Sequence, residues 1–491
     1  MLNRLLHPPY WREVTSLPLA SLFFRAGALV REGSGRQKVW VNGLVLAGLL
    51  ACSGGADHNG ASSTPPPVLV LAADGLEWSL VLPMAQAGEL PELARLMDTG
   101  TFGFLRTSRP TFSPIIWTSI ATGRPPVEHG VRGFVRQRGR DRRLFNSYDR
   151  KTKAFWNILS DYGRRVATVG WWMTFPVEEV DGVMVAQVNT IDQTRRTGGR
   201  AILKGGLVEE LEGQVFPTDR LDEFLEINRR VSGELAERMI ETFGFSRPQT
   251  PLARRLWENT SWSLRADATY LEIAERLAGE RFDLLACYLG GTDVVAHRFW
   301  RYMEPDVFDY PPSSEEVKRF GQAIRDYYRF VDRSIGRLRS RMAPETRVVV
   351  ISDHGMQASN VSEKFDSNEP PGDLNSAHHH GAPPGVIVVG GKGVEVVPAE
   401  TDWRELEVGD LEERGSILDV LPTLLTLLEV PLGEDLKGRP LAAVGSPRVG
   451  SVASHDGDDW KGEREGLLAE RLEREGEGER MEQLRALGYI E

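Results

Sequence analysis

Short apolar runs alternate with longer amphipathic stretches along the chain from Pro67 onward. Such runs are typical of strands covered on both faces, and the stretches between them have the period of helices. The predicted strands are Val68–Ala73, Val166–Gly170, Val183–Val188, Leu284–Leu289, Val348–Ser352 and Val386–Val389. The predicted helices are Leu90–Asp98, Pro114–Ala121, Ala154–Tyr162, Ala266–Leu277, Ser314–Arg341 and Ile417–Leu428. The alternation predicts an α/β fold, a doubly wound, mostly parallel sheet with helices on both faces.

The same pattern divides the chain into a body and flanking segments. The body, residues 68–445, contains all the predicted strands. Inside it, residues 189–262 lose the strand pattern and become charged and helical, so we expect a helical insertion or cap over the sheet edge, a common location for substrate-selecting elements. Residues 446–491 form a charged tail that ends in a segment apolar enough to dock back on the body.

The amino-terminal region has the pattern of an export signal. Arg36 and Lys38 precede an apolar run, Val39–Ala51, which is too short to span a bilayer as a helix but fits the apolar core of a signal peptide. The run closes on Leu-Leu-Ala-Cys at residues 49–52. That ending resembles the lipobox of bacterial lipoproteins, in which cleavage precedes the cysteine and lipid is attached to it.

The lipobox resemblance implies a leader and signal peptide over residues 1–52 and a flexible tether over residues 53–67. It further implies an exported protein anchored through the lipid on Cys52 to the cell envelope, at its periplasmic face or at the cell surface. The alternative is a disordered amino terminus in which the cysteine falls by chance. The leader before Arg36 is unusually long, so either translation begins further downstream or the segment is a true extension.

Composition narrows the chemistry. Fifty-nine Lys and Arg against 70 Asp and Glu give a net charge of −11, which argues against a nucleic-acid-binding face and favours a small substrate. Only two cysteines occur, Cys52 and Cys287, so neither a disulfide framework nor a thiolate metal cluster is expected. A metal site in this chain must therefore use His, Asp and Glu.

Carboxylates and imidazoles stand directly after several predicted strands or close behind them. The residues are Asp74, Asp293, His297, Asp353, His354 and the triplet His378-His379-His380. Because the carboxyl ends of parallel strands meet at one edge of an open sheet, we expect these side chains to converge there. Such a cluster of charge requires cations. Oxygen and nitrogen ligands favour zinc, with manganese as second choice, and there are enough of them for two ions.

Each piece alone has an ordinary explanation. An aspartate after a strand, such as Asp74, is commonly a helix cap or a turn residue, and a histidine triplet is commonly a solvated loop. Asp353-His354-Gly355 directly after a strand is more specific, and the order of all the pieces is more specific still. We therefore predict a metal site.

Several longer motifs occur in the same order. They are Asp74-Gly75, the stretch from Arg109 to Gly123 (RPTFSPIIWTSIATG), His129-Gly130, Gly291-Thr292-Asp293 with His297, Asp353-His354-Gly355, the histidine triplet and the segment from Ser416 to Leu425. Together they resemble the alkaline phosphatase superfamily and, within it, the type I phosphodiesterase/nucleotide pyrophosphatase family. The resemblance extends from Val68 to Leu441 and is weak across the insertion.

The resemblance implies two metal ions with defined ligands. One ion would be held by Asp74, Asp353, His354 and the nucleophile, and the other by Asp293, His297 and one histidine of the triplet. Within the triplet we choose His380, since it lies closest to the usual spacing before the strand entry at Gly385.

The resemblance also implies a nucleophile, which in the family is a Ser or Thr nine residues before the Thr of the Ala-Thr-Gly segment. Counting back from Thr122 reaches Ser113. Ser113-Pro114 opens an apolar helical run, and a hydroxyl at a helix amino terminus faces backbone N–H groups that favour an anion. The expected reaction is in-line displacement at phosphorus by Ser113, followed by hydrolysis of a phosphoserine intermediate.

One position departs from the family. Nucleotide pyrophosphatases usually have an Asn three residues after the nucleophile, where this chain has Ile116, so we expect Thr118 or backbone N–H groups to support the oxyanion. A phosphomonoesterase on the same ligands is an alternative. A sulfatase is disfavoured, because Ser113-Pro114 has the proline one place early and lacks the following arginine. The non-enzyme alternative is a surface-anchored binding lipoprotein, which would have lost ligands.

Overall fold

The computed structural model describes residues 64–460 apart from residues 139–140, 188, 191–202, 205, 210, 245–247, 249, 366–373, 398–401 and 459. The predicted leader and signal peptide, including Cys52, lie outside the described residues. So do residues 53–63 of the predicted tether and residues 461–491 of the predicted tail.

Strands and helices alternate along most of the described chain. The strands are β1 (Val68–Ala73), β2 (Gly100–Arg106), β3 (Val135–Arg138), β4 (Asp141–Leu144), β5 (Val166–Val169), β6 (Gly182–Val185), β7 (Asn189–Thr190), β8 (Leu203–Lys204), β9 (Val215–Phe216), β10 (Leu284–Leu289), β11 (Arg347–Ile351), β12 (Gln357–Ala358), β13 (Ala377–His378), β14 (Gly385–Gly390), β15 (Glu413–Ser416), β16 (Leu432–Gly433) and β17 (Ser451–Val452). The α-helices are α1 (Trp78–Gln86), α2 (Pro91–Asp98), α3 (Ser113–Thr122), α4 (Pro126–His129), α5 (Phe155–Asp161), α6 (Leu221–Gly233), α7 (Leu235–Phe243), α8 (Pro251–Ala278), α9 (Gly291–Met303), α10 (Ser314–Phe320), α11 (Ala323–Arg339) and α12 (Val420–Leu427).

Nine strands form one central sheet in the order β15-β2-β14-β11-β1-β10-β5-β6-β9. The five consecutive strands from β11 to β6 are parallel to one another. Strands β14 and β9 run antiparallel to their neighbours, and β15 is parallel to β2. The predicted α/β fold with a mostly parallel sheet is therefore confirmed.

Alternate residues of the central strands belong to two separate hydrophobic cores. In β1, Leu69 and Leu71 pack on one face of the sheet, whereas Val68 and Val70 pack on the other. Helices α2, α8, α9 and α11 contribute apolar residues to the first core, and α3, α5 and α12 contribute to the second. Because both faces are covered, the central strands are apolar at nearly every position, with Thr168 of β5 and Arg347 of β11 as exceptions, which explains their nearly continuous runs in the sequence.

Several predicted elements have different bounds in the structure. The predicted helix over Ser314–Arg341 is two helices, α10 and α11, interrupted at Gly321, where a side chain would come within 2.9 Å of the Tyr302 carbonyl oxygen. The predicted helix at Ala266–Leu277 begins much earlier, as α8, since Thr250 caps it by accepting a hydrogen bond from the Ala253 N–H. Strand β2 and helix α1 were not predicted.

The segment predicted as a helical insertion also contains short strands. Strand β9 pairs antiparallel with β6 as the last strand of the sheet. Helices α6 and α7 follow, and α8 starts in this segment and ends under β10. Part of the charged tail is attached to the body: β17 pairs with β16, and the Lys153 N–H donates to Asp456 Oδ1 over 2.7 Å. Among the described residues, no helix combines the length and the apolar character needed to cross a membrane.

Gly385, the first residue of β14, allows this strand to lie close against the end of β11. A Cβ atom at this position would lie 2.0 Å from the Ser352 carbonyl oxygen and 3.1 Å from the Asp353 carbonyl carbon. Strand β14 has no room to withdraw, because it is paired with β11 on one side and β2 on the other. The glycine therefore sets the spacing of two strands immediately before Asp353.

We predict that Gly385→Ala lowers the free energy of unfolding by about 2 to 3 kcal/mol, because the added methyl group overlaps a backbone that cannot move away. Denaturant titration measures the change. The matched control is Gly233→Ala at the exposed end of α6, where an added Cβ meets no atom within 4 Å, and a change below about 0.5 kcal/mol is expected. Equal midpoints for Gly385→Ala and the wild type would contradict the argument.

Candidate metal centre

Three neighbouring parallel strands deliver the carboxylates to one point. Strands β11, β1 and β10 are adjacent in the sheet, and Asp353, Asp74 and Asp293 follow their carboxyl ends. The Asp74 N–H donates to the Leu289 carbonyl oxygen over 3.0 Å, which ties the end of β1 to the end of β10. The predicted convergence at one sheet edge follows directly from this strand order.

The first cluster consists of Asp74, Asp353 and His354, all fully buried. His354 Nε2 lies 3.5 Å from Asp74 Oδ1 and 3.3 Å from Asp353 Oδ2, and none of these three atoms has a hydrogen-bond partner among the described residues. Buried polar atoms without partners cost free energy, and these three face one another. A divalent cation between them would satisfy all three, so the residues fit a metal ion.

A second group adjoins the first, formed by Asp293 and His379 together with His354. His297 Nε2 lies 3.2 Å from Asp293 Oδ1, and the His297 ring centroid lies 5.3 Å from that of His379. The rings of His354 and His379 are stacked with their centroids 4.2 Å apart. The structure thus brings the predicted residues Asp293 and His297 beside the first cluster.

His379 occupies the place for which His380 was chosen from the sequence. The His380 side chain is exposed, and its ring lies 5.8 Å from that of Phe112 in an edge contact. The His380 ring centroid lies 5.2 Å from that of His379 and 6.0 Å from that of His378, and it is His379 whose ligand atom lies within 4.8 Å of those of Asp293 and His354. The choice of His380 therefore does not fit this geometry, whereas His379 does.

Each of the three imidazoles at the centre is oriented through its Nδ1 atom. His297 Nδ1 lies 2.6 Å from the Ala377 carbonyl oxygen, and His354 Nδ1 lies 3.1 Å from that of Gly355. The Thr111 hydroxyl donates to the His379 carbonyl oxygen, so its oxygen accepts from His379 Nδ1 over 3.0 Å. With Nδ1 donating, the lone pair is on Nε2, which is the arrangement of metal-binding histidines.

Burial and mutual repulsion shape the protonation of the cluster. Burial raises the pKa of Asp353 well above its usual value, and the carboxylates of Asp74 and Asp293 raise it further. Burial lowers the pKa of His354, and burial together with His354 lowers the pKa of His379 to about 3. Burial acts in the same direction on His297, but the carboxylate of Asp293 outweighs it and raises the pKa of that imidazole. The neutral imidazoles of His354 and His379, together with the neighbouring carboxylates, form a nitrogen and oxygen donor set that suits zinc or manganese.

The second oxygen of Asp74 is fixed from the buried side. Asp74 Oδ2 accepts from Trp117 Nε1 over 3.2 Å and from the Tyr288 hydroxyl, and Trp172 Nε1 donates to that hydroxyl over 2.8 Å. Asp74 Oδ1 is thereby left facing His354. Sequence reasoning missed Tyr288, although a tyrosine next to the end of an otherwise apolar strand is a signal that could have indicated it.

The loops that follow β1 and β11 are joined by hydrogen bonds. The Gly75 N–H donates to Asp353 Oδ1 over 3.3 Å, and Glu77 Oε2 accepts from the Met356 N–H over 2.7 Å. Gly75 has φ +74°, and a Cβ there would lie 3.2 Å from the Asp293 Cα atom. The Asp-Gly pair is therefore required both for the turn and for the close approach of Asp293.

Ser113 lies between residues that contact both clusters. It is the first residue of α3 and is 3% exposed, so the predicted helix start is observed. Two residues before it, Thr111 contacts His379, and four residues after it, Trp117 contacts Asp74. In the sequence, Ser113 therefore stands between one residue that contacts each cluster.

Thr118 does not have the position expected of an oxyanion ligand. It is buried in α3, and its hydroxyl donates to the Pro114 carbonyl oxygen over 2.6 Å, so its proton is used within the helix. Ile116 is fully buried in the core. Of the two expected sources of oxyanion support, this geometry favours backbone N–H groups.

Comparison with known families matches residues 68–419 to type I phosphodiesterase / nucleotide pyrophosphatase. The matched range begins with β1 and includes every residue of both clusters.

Several solved structures are similar to this chain. Phosphonoacetate hydrolase from Sinorhizobium meliloti 1021, in complex with phosphonoformate, is 18% identical with a TM-score of 0.36; the match covers 60% of this chain and 57% of the hydrolase. Murine ectonucleotide pyrophosphatase / phosphodiesterase 5 is 10% identical with a TM-score of 0.41, covering 77% of this chain and 97% of that protein. A 2-O GAG sulfatase is 13% identical with a TM-score of 0.44, covering 80% and 76%.

The two adjacent histidines provide a matched test of the ligand set. We predict that His379→Ala weakens the binding of one of two zinc equivalents at least about tenfold, because an Nε2 ligand is removed. His380→Ala should bind both equivalents as the wild type does. Zinc titration against a chromophoric chelator measures both variants, and the reverse order of effects would return the assignment to His380.

Proposed function

Because the chain belongs to the type I phosphodiesterase/nucleotide pyrophosphatase family, we propose that it is a metal-dependent hydrolase of small phosphate esters that cleaves phosphodiesters or nucleotide pyrophosphate bonds. The observation that carries the proposal is the pair of ligand clusters, in the first of which one oxygen each of Asp74 and Asp353 and the Nε2 atom of His354 are buried and have no hydrogen-bond partner among the described residues. Loss of ligands, which a binding lipoprotein without turnover would predict, is not observed among these residues.

The donor set supports two divalent cations, with zinc as the first choice and manganese as the second. Asp74, Asp353 and His354 with Ser113 would hold one ion, and Asp293, His297 and His379 would hold the other. When bound, the ions supply charge that stabilises the ionised Ser113 hydroxyl and the phosphoryl oxygens at neutral pH.

Ser113 is the nucleophile in this proposal. Its oxygen bonds to phosphorus while the bond from phosphorus to the leaving oxygen breaks, and the leaving oxygen takes up a proton to balance the one that Ser113 loses. Water then displaces the serine from phosphorus, which restores the hydroxyl and releases the phosphate product. Inversion at each of the two steps gives overall retention at phosphorus.

The first turn of α3 offers one backbone donor to the substrate. The N–H groups of Ile115 and Ile116 both donate to the Phe112 carbonyl oxygen, and Pro114 has no N–H. The Ser113 N–H is therefore the donor of this turn that can support a phosphoryl oxygen. With Ile116 in place of an amide side chain, the site relies on this N–H and on the cations for that support.

We expect the full-length, zinc-loaded protein to cleave bis-p-nitrophenyl phosphate faster than p-nitrophenyl phosphate, and to lose both activities to a chelator. Ser113→Ala should reduce kcat at least about 10³-fold with unchanged zinc affinity at the second site, because the nucleophile is removed. Ser113→Thr is the conservative control and should retain measurable turnover, since it keeps a hydroxyl on the same atom.

Each alternative has its own result in this assay. Preference for the monoester would make the protein a phosphomonoesterase on the same ligands, and cleavage of p-nitrophenyl sulfate would make it a sulfatase. Normal turnover by Ser113→Ala would exclude the phosphoserine step. Bound zinc without cleavage of any of these esters would favour the binding lipoprotein.

We further propose that the protein is exported and anchored to the cell envelope by lipid on Cys52. The support is the charged pair, short apolar run and Leu-Leu-Ala-Cys ending at residues 36–52. Expressed with a labelled fatty acid in a bacterial host, the wild type should incorporate label and sediment with membranes, whereas Cys52→Ser should do neither. Equal labelling of Cys52→Ser would contradict the anchor, and Cys287→Ser, which changes the buried cysteine of β10, is the matched control.

A further inference from the structure

Helix α9 carries two of the second-site residues but has no cap of its own. It begins after Gly290, which has no side chain and so makes no side-chain cap hydrogen bond. Asp293 lies in the first turn, and His297 follows one turn later. Any shift of the amino end of α9 therefore moves Asp293 relative to the first cluster.

The missing cap is supplied from another helix. Asp267, in the middle of α8, accepts the Gly290 N–H on Oδ1 over 2.9 Å and the Gly291 N–H on Oδ2 over 2.8 Å. The Tyr327 hydroxyl of α11 donates to Oδ2 over 2.8 Å. We propose that Asp267 is a positioning residue for the second metal site, holding the amino end of α9 so that Asp293 and His297 stay at ligand distances; this inference rests on the proposed function.

Gly291, the first residue of α9, leaves room for this carboxylate and for the Tyr327 hydroxyl. A Cβ atom at Gly291 would lie 1.9 Å from the Tyr327 hydroxyl oxygen and 2.8 Å from Asp267 Oδ2. Asp267 is 2% exposed, and burial raises its pKa to about 7, although the three hydrogen bonds lower it. A carboxylate is needed because each oxygen accepts one N–H, whereas an asparagine amide has only one accepting oxygen.

The other side of α9 is held at His297. The Ser376 N–H donates to the His297 carbonyl oxygen over 2.6 Å, and the Ala377 carbonyl oxygen bonds to the His297 ring. Asp267 and the segment at 376–377 thus fix successive turns of the same helix. Releasing one of them leaves the ligands attached to the chain but no longer fixed relative to Asp74 and Asp353.

The chain contains a second buried carboxylate that accepts two backbone N–H groups, and the helix that it caps carries no cluster residue. Asp332, in α11 and 1% exposed, accepts the N–H groups of Glu92 and Leu93 over 3.2 and 2.8 Å at the amino end of α2. Helix α2 carries none of the cluster residues. Asp332→Asn is therefore the matched control for Asp267→Asn: both remove a buried cap from a neighbouring helix.

The test compares full-length wild type, Asp267→Asn and Asp332→Asn, each stripped by a chelator and titrated with Zn²⁺ alone. Both variants should unfold at lower denaturant concentration than the wild type. Only Asp267→Asn should weaken the binding of one zinc equivalent at least tenfold, and this should be the same equivalent that His379→Ala weakens. At saturating zinc, the kcat of Asp267→Asn for the diester should fall while KM changes less, because Asp293 and His297 are then no longer held in position.

Tyr327→Phe is the milder variant, since it removes one of three donors and leaves both N–H bonds. It should weaken the binding of the same zinc equivalent two- to fivefold. The control is Tyr302→Phe, since the buried Tyr302 hydroxyl has no partner among the described residues, and it should leave zinc binding unchanged. Zinc binding by Asp267→Asn and Tyr327→Phe equal to that of their controls would overturn the positioning role while leaving the proposed function intact. A wild type that binds no zinc tightly would overturn both.

Discussion

The mutual repulsion of three buried carboxylates is the constraint on which the rest of the site depends. Two unit charges 4 Å apart interact by about 4 kcal/mol at the effective dielectric that describes charges in proteins. The ligand oxygens of Asp74 and Asp353 lie within 4.8 Å of each other with Asp293 beside them, because the sheet places β1 between β10 and β11. The surrounding hydrogen bonds fix these groups in place, and burial together with the neighbouring carboxylates raises the pKa of Asp353, so the sheet creates a place that fits a cation.

The residues around the clusters mainly fix the orientation of the ligand side chains. Backbone carbonyls and Thr111 hold each imidazole at Nδ1, and the indole of Trp117 with the Tyr288 hydroxyl holds the far oxygen of Asp74. Trp117 belongs to α3 and Tyr288 to β10, and both pack in the second hydrophobic core, whereas Thr111 and Gly355 lie in loops. The far oxygen of Asp74 is consequently held by core residues, and a change in core packing near Tyr288 is also a change in the site.

The sequence predicted the central strands well because burial on both faces makes nearly every position apolar. It also predicted Asp74, Asp293, Asp353 and His354, since strand ends are visible in the pattern, and the family resemblance is confirmed by the match over residues 68–419. For the triplet the sequence favoured His380, whereas the geometry groups His379 with Asp293 and His354, because spacing along the chain does not determine which ring of a histidine triplet turns towards the site. Asp267 gave no signal at all, because its partners are backbone groups 23 and 24 residues away.

The partnerless atoms of Asp74, Asp353 and His354 have a consequence for the lifetime of the protein. A ligand that binds only the folded state adds stability in proportion to the logarithm of its free concentration, about 2.7 kcal/mol at one hundred times its dissociation constant. An ion held by these atoms would also keep β1 and β11 together at their reactive ends. When the metal is scarce, more of the protein would be unfolded and open to proteolysis, in addition to being inactive. The supply of the ion would then determine how much of the protein persists.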